Sequence, residues 1–204
     1  FQYAGGGTGN RIAIKVGAGS AWNGTGAVID SCSFAHTTRE AIYAFDPAGV
    51  TCDSVVVADC GFQSYAYEMG YTATKGRLEE SMTPIGSDGS GWMVTRNTIT
   101  GWGGGIHHNG SGAWGSTLTN DWDICDNTIS LTGDDAVEFD GAYARNTKFY
   151  RNTISGCNNA VSLAPIYGGP VFILYNQLRG YDYWGLTGGA FKLGTGDLGT
   201  SCGQ

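Results

Sequence analysis

Basic residues are scarce in this chain: 11 Lys and Arg stand against 18 Asp and Glu, a formal net charge of -7 over 204 residues. No block of Lys or Arg stands out, which argues against nucleic acid or an anionic membrane surface as a partner. No apolar run approaches the roughly 20 residues of a membrane-spanning helix. No segment keeps an apolar period of about 3.6, so little helix is expected. Proline is nearly absent, with 4 residues, and the 35 glycines follow no Gly-X-Y period, which excludes collagen. The six cysteines (Cys32, Cys52, Cys60, Cys125, Cys157, Cys202) include no C-x-x-C pair, and no His lies at zinc-site spacing. A structural zinc site is therefore not expected.

What is present is glycine with Asn, Asp, Thr and Ser, the residues of tight turns between short strands. Aromatics make up 12%, too many for a disordered glycine-rich linker. The length suits one domain with a sizeable core. The even cysteine count permits disulfides, and the composition points to an extracellular or cell-surface protein. The chain starts at Phe1 with its first repeat under way, and is read as a processed or truncated part of a longer β protein.

One phrase recurs. It reads Val94-Thr95-Arg96-Asn97-Thr98-Ile99, Ile124-Cys125-Asp126-Asn127-Thr128-Ile129, Phe149-Tyr150-Arg151-Asn152-Thr153-Ile154 and Ile173-Leu174-Tyr175-Asn176-Gln177-Leu178. Two earlier copies carry Cys32 and Cys60 in place of Asn. By position number, successive copies lie 28, 37, 30, 25 and 24 residues apart. A period in the range of roughly 20 to 50 residues signals stacked repeats. Around each Asn the apolar residues alternate, as in Trp92/Val94 and Ile99, which marks a strand with one buried face. A second strand-like piece follows about ten residues later: Ile42-Tyr43, Ile106-His107, Val137-Glu138, Val161-Ser162 and, after an insertion, Phe191-Lys192.

These signals predict an all-β fold, a right-handed parallel β-helix of about six to seven coils forming a single domain over 1–204. Loop insertions are expected at about 72–90, 110–119 and 180–189. The Asn side chains are expected to stack inward and bond the backbone of neighbouring coils. Cys32 and Cys60 share that ladder, close enough for a bridge, with two thiols as the plainer state.

Alternation places Ile42, Ile106, Val137, Val161 and Phe191 inside and Tyr43, His107, Glu138, Ser162 and Lys192 in one outward file. Asp140 and Asn109 lie two residues further along their strands. His107, Glu138, Asp140 and Lys192 thus form the candidate catalytic group, with an imidazole, two carboxylates and an ammonium for acid/base work. A polar exposed strand face that is merely solvated has the same look. His108 is expected to point inward. Asp134, Asp135, Glu138 and Asp140 put four carboxylates in seven residues, a density that suits Ca²⁺ through Asp134 and Asp135, or else a tight turn. Tyr43, Trp102, Asn109, Trp114, Tyr143 and Arg145 are candidates for binding substrate, the aromatic rings as platforms for the apolar face of a sugar.

The repeated Arg/Asp-Asn-Thr-Ile phrases, each followed by Ala/Gly-Ile/Val, resemble the pectate-lyase-like superfamily of right-handed parallel β-helix proteins over roughly residues 27–194. Gly133 to Gly141 with Ala164-Pro165-Ile166-Tyr167-Gly168-Gly169-Pro170-Val171 looks like a secreted bacterial subgroup of it. The resemblance implies a polysaccharide partner and three classes of function. Lyases of the superfamily use Lys or Arg as base and neutralise a uronate with Ca²⁺ or basic residues, which implies Lys192 or His107 as base and Asp134, Asp135, Glu138 and Asp140 around a calcium ion. Polygalacturonase-like hydrolases share a Gly-Asp-Asp phrase, matched by Gly133-Asp134-Asp135; their Gly-His-Gly and Arg-Ile-Lys are missing here. Non-catalytic tailspike-like or cell-surface carbohydrate-binding modules are the third class. Elimination on an acidic glycan is placed ahead of hydrolysis.

Overall fold

A computed structural model describes residues 13–16, 25–35, 41–44, 53–64, 83–87, 89–108, 118–140, 143–164, 166, 168–182, 185 and 188–194. Every strand pairing in it is parallel, and no helix occurs among the described residues. Three sheets run along the molecule as a parallel β-solenoid. The first is seven-stranded and stacks Ile14–Lys15, Ile42–Ala44, Ile85–Ser87, Ile106–His107, Asp135–Glu138, Asn159–Leu163 and Phe191–Leu193 in that order. The second stacks Val28–Asp30, Val56–Ala58, Met93–Thr95, Asp123–Cys125, Thr147–Tyr150 and Val171–Leu174. The third stacks Ser33–Ala35, Gly61–Gln63, Thr98–Thr100, Thr128–Ser130, Thr153–Ser155 and Gln177–Arg179. A two-stranded ladder, Leu118–Asn120 with Tyr143–Arg145, precedes the second sheet.

The recurring phrase is the corner between the second and third sheets. At Ser31, Asp59, Arg96, Asp126, Arg151 and Tyr175 the backbone is left-handed, with φ between 52° and 58°. That conformation costs a non-glycine residue about 1–2 kcal/mol. The next residue repays it by bonding across coils. Asn97 and Asn127 are 1% exposed. Asn127 Oδ1 accepts from both the backbone N and the Nδ2 of Asn97 at 3.0 Å, while its own Nδ2 donates to Val94 O and Asn152 Oδ1 at 2.9 Å. Asn152 repeats the pattern with Asn176, and Cys60 N donates to Asn97 Oδ1. Cys32 and Cys60 are free thiols, each donating to a backbone carbonyl two residues earlier.

Because stacked strands lie about 4.8 Å apart, identical inward side chains must stack at that spacing. Phe34 and Phe62 do so at 4.8 Å and 4°, and Trp92 and Trp122 at 5.0 Å and 6°. Ile99, Ile129 and Ile154 form the matching aliphatic file, all fully buried. Outside the corner, Arg96 grips Asp59 and Arg151 grips Asp126, each through two hydrogen bonds of 2.6–2.8 Å between adjacent coils.

Three expectations need correction. The stretch 72–90 contains a strand of the first sheet, Ile85–Ser87, which pairs with Ile42–Ala44 on one side and Ile106–His107 on the other. Gly86 hides it, since a glycine at the outward position breaks the alternation by which the other strands are recognised. The stretch 110–119 likewise ends in the paired strand Leu118–Asn120. Phe191, read as interior, is 45% exposed. Among the described residues its strand is the last of the first sheet and has a paired neighbour on one side alone.

Candidate active site

The register of the first sheet sets the site. Tyr43 pairs with Gly86, Gly86 with His107, His107 with Glu138, Glu138 with Ser162, and Ser162 with Lys192. Parallel pairing carries side-chain direction from coil to coil, so residues 31, 24 and 30 positions apart become neighbours. His107 Nε2 lies 3.4 Å from Glu138 Oε1, with the side chains 17% and 33% exposed. Gly105 brings His107 close to the next coil: a Cβ at Gly105 would collide with the carbonyl oxygen of Ala136.

Lys192, two coils beyond Asp135, reaches back to it. Its Nζ lies 3.0 Å from Asp135 Oδ2 and 3.2 Å from Asp140 Oδ2. Both carboxylates are deeply buried, at 3% and 7% side-chain exposure, whereas Lys192 is 39% exposed. The remaining carboxylate oxygens are also engaged. Asn159 Nδ2 donates to Asp135 Oδ1 at 2.7 Å. Ser162 Oγ and the backbone N of Ala164 both donate to Asp140 Oδ1 at 2.6 Å. The file is therefore not a solvated surface throughout, since Ser162 is fully buried beneath Asp140 and Lys192.

Burial raises the pKa of Asp135 above its ordinary value, and the Glu138 charge adds to it against the pull of Lys192. Burial and then Glu138 raise Asp140 too, partly offset by Ser162, Ala164 and Lys192. For Lys192, burial alone would lower the pKa, but Asp135 and Asp140 together reverse it and hold the ammonium charged. That makes Lys192 a poor proton acceptor. His108 points inward as expected; burial and then the neighbouring His107 push it down to about 3, so it is neutral at ordinary pH. Its ring sits edge-on against Trp122 and Phe139, with Nε2 3.4 Å from Thr147 Oγ1.

His107, Glu138, Asp140 and Lys192 thus come together, joined by Asp135. Trp102 does not join them: its indole is fully buried, so it offers no ring face to a sugar. The glycines around it look like a turn, yet the chain there turns the side chain into the core. Arg145 is exposed on the two-stranded ladder, paired with Asn120, and not on the site sheet. Tyr43 lies in the site sheet and Tyr143 in that ladder; their side chains, like Asn109 and Trp114, fall outside the described residues. Asn159 and Ser162 are anchors that the sequence hinted at only through register, Asn159 lying 24 residues after Asp135.

The calcium set fits poorly. Both Asp135 oxygens already hold donors, and one of these is an ammonium. Asp134 is half-buried, with its backbone N donating to Gly103 O and its carbonyl accepting from Asn158 N. Among the described residues, no three of His, Cys, Asp and Glu converge as metal ligands. No family model matches the chain, and no curated protein or solved structure is significantly similar to it.

Proposed function

We propose that this protein is a secreted, right-handed β-helix of the pectate-lyase-like kind that cleaves an acidic polysaccharide by elimination, with His107 as base. The observation that carries the reading is the His107–Glu138 pair, half-covered on the outward face of the site sheet at 3.4 Å. A carboxylate beside an imidazole fixes its orientation and stabilises its protonated form, which suits His107 to remove a proton. Lys192, two strands beyond Glu138 in the same file, supplies positive charge and stays protonated between its two carboxylates. Abstracting the proton next to a uronate carboxylate builds negative charge there, and an ammonium held ready stabilises it.

Hydrolysis is less well supported. It asks for two working carboxyl groups, whereas the oxygens of Asp135 and Asp140 are taken up by Lys192, Asn159, Ser162 and Ala164. The test is a panel of uronate and neutral polysaccharides followed by the ultraviolet absorbance of unsaturated uronates and by new reducing ends. Unsaturated product that disappears in His107→Ala supports the reading. Reducing ends without absorbance point to a hydrolase, and neither signal on any polymer points to a binding module.

A further inference from the structure

We infer that the ammonium of Lys192 occupies the place of a divalent cation, so that this site works with a tethered cation and without calcium. Two carboxylates from one coil region, Asp135 and Asp140, each offer an oxygen to the same point, 3.0 and 3.2 Å from Nζ. Two such buried carboxylates need positive charge between them, because desolvation and mutual repulsion both oppose their ionisation. A bound Ca²⁺ supplies that in oxygen-rich sites. Here the charge arrives on a side chain 57 residues from Asp135 and 52 from Asp140, carried by the strand Phe191–Leu193.

The other donors fit this assignment. Asn159, Ser162 and the Ala164 N–H bind the carboxylate oxygens that Lys192 leaves free, so every oxygen of the two carboxylates has a donor once the ammonium is in place. They also hold the two oxygens aimed at one point, as preorganised ligands would be. The side chain of Lys192 is 39% exposed, so it reaches the two buried carboxylates from the solvent side. The assignment stands on this geometry and does not depend on the cleavage reading.

The experiment compares thermal unfolding of the wild-type protein and of Lys192→Ala, with millimolar calcium, with magnesium and with a chelator. The wild-type melting temperature is expected to ignore all three additions, and calorimetry is expected to detect no calcium binding at this site. Lys192→Ala is expected to melt lower and to be restored in part by calcium more than by sodium at equal ionic strength. Should Lys192→Ala fail to fold, Lys192→Met, which keeps an unbranched stem without the charge, takes its place in the same series. Calcium binding or chelator-sensitive melting in the wild type overturns the assignment if Asp135→Asn abolishes it. So does a folded Lys192 variant that calcium leaves unchanged. Loss of glycan cleavage alone affects neither outcome, because both readouts are independent of activity.

Discussion

Replacing Asn127 by Ala tests whether the stacked amides hold the coils together. Asn127 is 1% exposed and lies in the middle of the ladder. Its Oδ1 is the acceptor for the backbone N and for Nδ2 of Asn97, and its Nδ2 donates to Val94 O and Asn152 Oδ1. Alanine keeps the backbone bond from Asn127 N to Asn152 Oδ1, and Val94 O keeps its place in the pairing with Asp123–Cys125, but the Asn97 N–H and one Asn97 amide hydrogen are stranded. Each buried group left unpaired costs about 1–3 kcal/mol. Asn97 Nδ2 retains its bond to Val57 O, which places the sum nearer the lower bound, at about 2–4 kcal/mol. Asn176→Ala, at the half-buried end of the same ladder, should cost about 1–2 kcal/mol because water reaches the groups it strands. Asn127→Cys should fall between wild type and Asn127→Ala, since Cys60 already serves at this position with weaker sulfur bonds. The assay is urea unfolding followed by two probes, whose coincidence checks that one transition is measured. A loss below about 1 kcal/mol for Asn127→Ala, or equal losses at positions 127 and 176, would refute the claim that the amide ladder stabilises the coils.

Glu138→Gln should leave the melting temperature nearly unchanged while removing most cleavage of a uronate polymer; near wild-type rates in the absorbance assay would sink the proposed pair. Lys192→Met should change how stability depends on pH. Asp135 and Asp140 have folded pKa values above the ordinary 3.8, so their contribution is fully present below about pH 3.8 and is lost as pH rises through the folded values. Lys192, raised above 10.5, contributes below that value and loses it as pH rises through the folded pKa. Without Lys192 the carboxyls rise further, so the variant should regain more stability than wild type between pH 7 and 4; parallel melting curves against pH would contradict this. Gly105→Ala should cost about 1–3 kcal/mol or prevent folding, because its Cβ meets the Ala136 carbonyl, whereas Gly61→Ala has open space and should be tolerated. Equal melting temperatures for those two variants would refute the close approach at Gly105.

The ladder and the sheet register were legible because each residue involved repeats its own local pattern. Asn97, Asn127 and Asn152 follow one apolar alternation, and counting about ten residues onward leads to His107, Glu138 and Ser162. Counting failed where an element lacked the pattern. Gly86 has no outward side chain to mark its strand, and the glycines flanking Trp102 suggested a surface turn around a side chain that is fully buried. Asp140 was legible as a carboxylate of the site, but not as a buried one.

By itself the sequence determined the coil period, the inward amides and the residues that share an outward file, since a strand's two-residue alternation and a repeat length are local properties. The tertiary structure alone decided what those residues do to one another. Lys192 bonds Asp135 and Asp140 from 57 and 52 residues away and pulls against the burial that sets the direction in which both carboxyls titrate. Desolvation depends on which atoms surround a group in space, and several of those atoms belong to other coils.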